Sequence, residues 1–202
     1  MHKLPTEKEG PIDILFLQLT EWITPFFHMI GHTPNMITTY SLIMGLGAAY
    51  CLWKGYVSAF VALFLGSYLF DCVDGYMARR YHQETVFGDY YDHAADVMKF
   101  LVILYVFCLK YSLDLLLPVL IGIGLMLSIS CVYLGCSQVH SKKGSKARNE
   151  SIDILSAFCS TEDTIHWVKY CSTGTLMIAV VLGACYLEWR VAKVTGAGGY
   201  LL

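Results

Sequence analysis

Apolar positions along this chain gather into long runs, separated by short polar breaks. The runs cover about residues 36–53, 57–79, 88–110, 114–137 and 172–189. Each approaches the ~20 residues that a helix needs to cross a bilayer. Lys54-Gly55, Tyr81 to Phe87 and Lys110 to Leu113 form the breaks. Residues 11–31 follow a different rule. Ile12, Leu15, Phe16, Leu19, Ile23, Phe26, Phe27 and Ile30 recur at helical spacing, with Asp13, Gln18, Glu21 and His28 mostly elsewhere. Pro11 suits a first turn and Pro25 is a candidate kink. The pattern predicts an amphipathic helix along the membrane interface, packed against the bundle. His28 and His32 read as interfacial polar residues rather than metal ligands. Gly45, Gly47, Ala48 and Ala49 would let helices approach closely.

Composition agrees. The 202 residues are 56% hydrophobic and 15% charged, with mean hydropathy +0.53, too apolar for an ordinary soluble domain. The expected fold is all-α: a polytopic membrane helix bundle with five legible spans and an N-terminal interfacial helix. Residues 1–35 are expected as a cytoplasmic segment and 36–202 as the membrane domain. Net charge is −2, and no basic face points to nucleic acid. Eight cysteines, at 51, 72, 108, 131, 136, 159, 171 and 185, show no CxxC pair. They read as small buried hydrophobes rather than a disulfide or zinc framework. No cleavable signal peptide is evident after MHKLPTEKEG.

Two stretches bear on topology. Lys142, Lys143, Lys146 and Arg148 form a basic loop, which the positive-inside rule assigns to the cytoplasm. Counting spans backward puts Arg79, Arg80 and the N-terminus on that side. The same loop could bind an acceptor phosphate. Residues 151–170 carry Asp153, Glu162, Asp163 and Lys169. They are either a sixth span shielded by protein or a surface segment, the second case leaving the tail on the far side.

The candidate chemistry lies where two apolar runs meet. Asp71 and Asp74 are three apart on one helical face; Gly88, Asp92 and Asp96 form a second stripe at intervals of four. Asp89 is nearby. Ionisable groups at membrane depth are costly and mark functional sites by default. Converging carboxylates repel unless cations sit between them, and their oxygens suit Mg²⁺ and Mn²⁺. Gly75, Ala78 and Gly88 allow a ligand close to the backbone, and Arg79 offers a fork of donors for phosphate.

Asp71-x-x-Asp74-Gly75-x-x-Ala78-Arg79, then Gly88-x-x-x-Asp92-x-x-x-Asp96, resembles the signature of the CDP-alcohol phosphatidyltransferases, with all eight positions filled across 26 residues. The resemblance implies six membrane helices, both termini in the cytoplasm, and frequent homodimers. It implies transfer of a substituted phosphate from a CDP-linked substrate to an alcohol with release of CMP. By position, Asp71, Asp74, Asp92 and Asp96 would hold two Mg²⁺ or Mn²⁺ ions. Gly75, Arg79 and Gly88 would contact the CDP part. Asn35, in a Pro-Asn pair that opens the first span as in many members, would touch the nucleotide substrate. Read locally, Asn35 is equally well a helix cap.

A base must take the hydroxyl proton. Many members use the last acid, here Asp96. The pair Asp92-His93 resembles the choline/ethanolamine phosphotransferase branch, in which that His is the proposed acceptor, and neutral imidazole suits the task. His93 is the favoured base and Asp96 the alternative. The branch implies CDP-ethanolamine or CDP-choline plus diacylglycerol. Chain length fits better with CDP-diacylglycerol plus inositol, glycerol 3-phosphate or serine. A non-catalytic cation-binding membrane protein is the third reading, against which Gly75-x-x-Ala78-Arg79 stands. In a eukaryote, the endoplasmic reticulum membrane would be the expected location.

Overall fold

A computed structural model describes residues 9–141 and 167–195. Six helices account for most of them: α1 Pro11–Met29, α2 Pro34–Lys54, α3 Val57–Arg80, α4 Val86–Lys110, α5 Leu113–Ser141 and α6 Thr173–Thr195. A 3₁₀ turn, Lys169–Cys171, precedes α6. No strand occurs among the described residues. The protein is a polytopic membrane helix bundle.

Local chemistry sets the helix ends. Pro34 takes the first turn of α2 after an extended Thr33. Gly55 ends α2 in the left-handed region, φ 81°, and turns the chain straight into α3. Thr85 caps α4, its hydroxyl accepting from the Gly88 amide at 3.0 Å. The α2–α3 pair forms the tightest contact of the bundle, and α4 packs against α2. Ala48, Ala49, Leu52, Phe60, Phe107 and Leu187 belong to the main apolar core.

Helices α2, α3, α5 and α6 each contain a stretch long and apolar enough to cross a membrane. Helix α4 matches them in length with 25 residues but carries Asp92, Asp96 and Lys99 near its start. It runs beside α2, but its charged start keeps it from meeting the same measure, so four of the five expected spans are long and apolar enough among the described residues. Helix α5 lies against the turn that leads into α6: Ser130 Oγ donates to the Cys171 carbonyl at 2.6 Å. At the other end of α6, Glu188 pairs with Lys110. The basic loop and most of the expected sixth span, 151–170, fall outside the described residues.

Helix α1 packs along α3. Its buried face is Phe16, Thr20 and Thr24, while Leu15, Leu19, Trp22, Phe26 and Met29 are exposed. Half of the predicted apolar stripe, Leu15, Leu19, Phe26 and Ile30, thus faces outward, while Phe16 is buried and Ile12, Ile23 and Phe27 are partly covered. Thr24 satisfies its own hydroxyl on the Thr20 carbonyl at 2.6 Å. Pro25 sits inside the helix without ending it. Asp13 Oδ1 accepts from Tyr68 Oη at 3.0 Å and from the Gly174 amide at 2.8 Å, joining α1 to α3 and α6. His28 stacks on Tyr81 with ring centroids 3.5 Å apart, and His32 Nε2 lies 3.0 Å from Tyr40 Oη. Both histidines therefore pack within the protein. One cysteine departs from expectation. Cys136 is disulfide-bonded, which sequence spacing could not show. Cys51, Cys72, Cys108, Cys131, Cys171 and Cys185 are free.

Candidate active site

Helix α3 delivers Asp71 and Asp74 from its last third, and α4 delivers Asp92 and Asp96 from its first. The break between them is short, so the two stripes converge. Asp71, Asp74 and Asp92 each present an oxygen within 4.8 Å of the other two. At an effective dielectric of about 20, unit charges that close repel by roughly 3 kcal/mol. Asp74 is the most enclosed, at 4% exposure. Thr38 on α2 donates to its Oδ2 at 2.6 Å. Asp92 Oδ1 is buried and has no hydrogen-bond partner. Three oxygen donors, one of them orphaned, fit a hard divalent cation such as Mg²⁺ or Mn²⁺.

Asp96 stands apart from this triad. Its side chain is 50% exposed, and Oδ1 accepts from Lys99 Nζ at 2.7 Å. Lys99 also donates to Asp71 Oδ1 at 3.1 Å and to Ser41 Oγ at 2.8 Å. His93 is more remote. Its side chain is 69% exposed, and Nδ1 turns back to the Asp89 carbonyl at 2.7 Å.

The carboxylates lie on a partition between two cavities. On one side, a polar cavity of about 160 Å³ is lined by Asn35, Gly75, Arg79, Gly88, Asp74 and Asp92, among others. The glycines are needed for shape. A Cβ at Gly88 would come 3.0 Å from Asn35 Oδ1 and 2.9 Å from Thr85 Oγ1. One at Gly75 would sit 3.3 Å from Arg79 Nη1. Arg79 Nε is buried without a partner. On the other side, an apolar cavity of about 280 Å³ runs between α3, α4, α5 and α6. Asp71, Asp96 and Lys99 stand at its polar end; Phe64, Ile103 and Leu176 belong to its apolar wall. His93 lines neither cavity.

Structure thus brings Asn35, Gly75, Arg79 and Gly88 around one cavity, and Asp71, Asp74 and Asp92 into one cluster. Asp96 and His93 lie outside that cluster. Sequence reasoning missed Thr38, Ser41 and Lys99. A signal for Lys99 existed: it is a lone cation within VMKFLVILY, one turn beyond Asp96 on the acidic stripe.

Comparison with known proteins bears on this geometry. A protein of Aquifex aeolicus (strain VF5), itself described only as uncharacterized, is 36% identical over 80 residues. That match covers 39% of this chain and 40% of the other's length. No solved structure matches the chain. The model of the CDP-alcohol phosphatidyltransferase family matches residues 31–198, which include every helix but α1 and the whole of both cavities' polar rims. The chain belongs to the CDP-alcohol phosphatidyltransferase family.

Proposed function

We propose that this protein is a phospholipid-synthesising transferase that moves a substituted phosphate from a CDP-linked substrate to an alcohol and releases CMP. The observation that carries this reading is the carboxylate triad on the partition between a polar and an apolar cavity. A plain cation path needs no Arg79 fork, no glycine-lined cleft and no adjoining apolar chamber.

The residues divide the work. Asn35, Gly75, Arg79 and Gly88 cradle the CDP part, with Arg79 directed to phosphate. Asp71, Asp74 and Asp92, with Asp96 alongside, are the carboxylates that would hold Mg²⁺ or Mn²⁺. When bound, the ion supplies charge neutralisation on the diphosphate and at the departing CMP oxygen. Thr38 fixes the Asp74 carboxylate. The acceptor oxygen attacks the phosphorus distal to cytidine, the new P–O bond forms, and the P–O bond to CMP breaks. The acceptor's proton passes to a base. Asp96 is half-exposed and lines the apolar cavity, whereas His93 lies outside both cavities; this favours Asp96.

In-line displacement brings the attacking oxygen from the side opposite the leaving group. With CDP in the polar cavity, the acceptor arrives from the apolar one. That favours diacylglycerol as acceptor and CDP-ethanolamine or CDP-choline as donor. CDP-diacylglycerol with a small polar alcohol is the second reading, in which the apolar cavity serves the donor's chains instead. The basic loop favours a cytoplasm-facing site.

A radiolabel assay on the purified chain in micelles with Mn²⁺ or Mg²⁺ tests both. One set offers CDP-ethanolamine or CDP-choline with diacylglycerol; the other offers CDP-diacylglycerol with inositol, serine or glycerol 3-phosphate. Lipid product in the first set is expected. Product confined to the second overturns the acceptor assignment, and no CMP from either overturns the enzyme.

A further inference from the structure

Lys99 is buried to 12% side-chain exposure inside the acidic cluster. An ammonium has three N–H donors. Lys99 has three matched acceptors: Ser41 Oγ, Asp71 Oδ1 and Asp96 Oδ1, at 2.8, 3.1 and 2.7 Å. The acceptor on α2 is itself oriented. Ser41 Oγ donates to the Ser67 carbonyl at 2.9 Å, which leaves its lone pairs for Lys99. Ser67 Oγ returns a bond to the Ser41 carbonyl at 2.8 Å. The stem is equally well seated. A Cβ at Gly45 would fall 2.7 Å from Lys99 Cγ and Cδ, so α2 lacks a side chain where the lysine passes.

We propose that Lys99 is a resident cation of the cluster, filling the position between Asp71 and Asp96, so that the site takes one divalent ion where the sequence alone leads one to expect two. The inference rests on the metal reading above and deepens it. The single ion belongs to Asp71, Asp74 and Asp92. The bond from Lys99 engages Asp71 Oδ1 and leaves that residue's second oxygen for the triad. One divalent ion and Lys99 together offset three of the four aspartate charges, and Arg79 lies in the adjoining polar cavity. A second ion at Asp71 and Asp96 would have to displace an ammonium that already has every donor satisfied.

Equilibrium dialysis with Mn²⁺, and electron paramagnetic resonance of the bound ion, count the sites on the purified chain in micelles without nucleotide. Wild type is expected to bind one Mn²⁺ tightly, any second at least tenfold more weakly. Lys99→Met keeps the stem over Gly45 and should bind two tightly. Two equivalent ions in wild type, or one in both proteins, overturns the proposal. Should Lys99→Met fail to fold, Ser41→Ala removes one acceptor and leaves every carboxylate; its second ion should bind several-fold tighter than in wild type, and an unchanged second affinity overturns the proposal. Asp74→Asn separates the two layers of argument. It should lose the first ion; retention of that ion overturns the metal reading itself, and the proposal with it.

Discussion

Lys110 donates to Glu188 and to the Leu52 carbonyl, and Tyr111 donates to the same Glu188 carboxylate. That network joins α2, α4 and α6 at one end of the bundle. At the other end, four aspartates gather where one lysine pairs with two of them, Asp71 and Asp96, and Arg79 lies in the adjoining cavity. Both groups bring acids and bases together within the bundle, but only one is matched. One acid and one base satisfy each other and leave nothing for a ligand. Four acids with one paired lysine leave an unpaired Asp92 oxygen and three carboxyl groups within 4.8 Å of one another. Charge imbalance, rather than buried charge, is what distinguishes a site from a clasp here.

The largest effect that would break this contrast is expected at Asp74. Asp74→Asn keeps an acceptor for Thr38 but removes one of three clustered charges. Turnover should fall about 10²–10³-fold, the scale of losing a preorganised electrostatic contact, while the melting temperature holds or rises. A cooler-melting, active variant would mean that Asp74 is structural. Glu188→Gln should behave oppositely. It leaves a buried ammonium uncompensated, at a cost of about 3–5 kcal/mol, with activity per folded molecule unchanged. Thermal denaturation in micelles, with Lys110→Met/Glu188→Gln as the paired control, reads it; the double variant should recover most of the loss.

These two ends were not equally legible. The acidic one was visible because eight residue types recur at fixed intervals within 26 residues, and each interval maps onto one helix or one turn. Lys99 was not, because its meaning comes from Ser41 and Gly45 on α2, 58 residues away in the case of Ser41. Gly45 read as a place for helix contact, and it is one, but the object passing there is a lysine stem. Glu188 and Lys110 lie 78 residues apart and no local spacing joins them. Residues 11–31 showed helical period, and the exposed side chains include part of that apolar stripe. Which face met the protein was hidden, because two threonines, not leucines, make the buried seam.

Smaller effects sharpen the acidic end further. Gly88→Ala pushes a methyl group toward Asn35 Oδ1 and Thr85 Oγ1, both near 3 Å. It should raise KM for the CDP substrate roughly tenfold with kcat little changed, given about 1–3 kcal/mol for overpacking. An unaltered KM would remove Gly88 from the cleft. Thr38→Val deletes one bond to the Asp74 carboxylate. A loss of about 1.5–3 kcal/mol is the usual worth of a hydrogen bond to a charged group, so Mn²⁺ affinity should drop about tenfold or more. Affinity equal to wild type would show that the hydroxyl only fills space.

One carboxylate on the surface helix governs the order in which this protein can be completed. Asp13 is bound by the Gly174 amide, 161 residues later in the chain. At about 5–20 residues per second of synthesis, that partner emerges roughly 8–32 s after Asp13 itself. For that interval α1 is held by α3 and its neighbours alone, through Tyr68 and Tyr76 and through Phe27 packed on Phe70. The link between the first helix and the last is therefore among the last to form, and a ribosome stalled before Gly174 would hold a nascent protein whose acidic cluster is assembled while Asp13 still lacks its α6 partner.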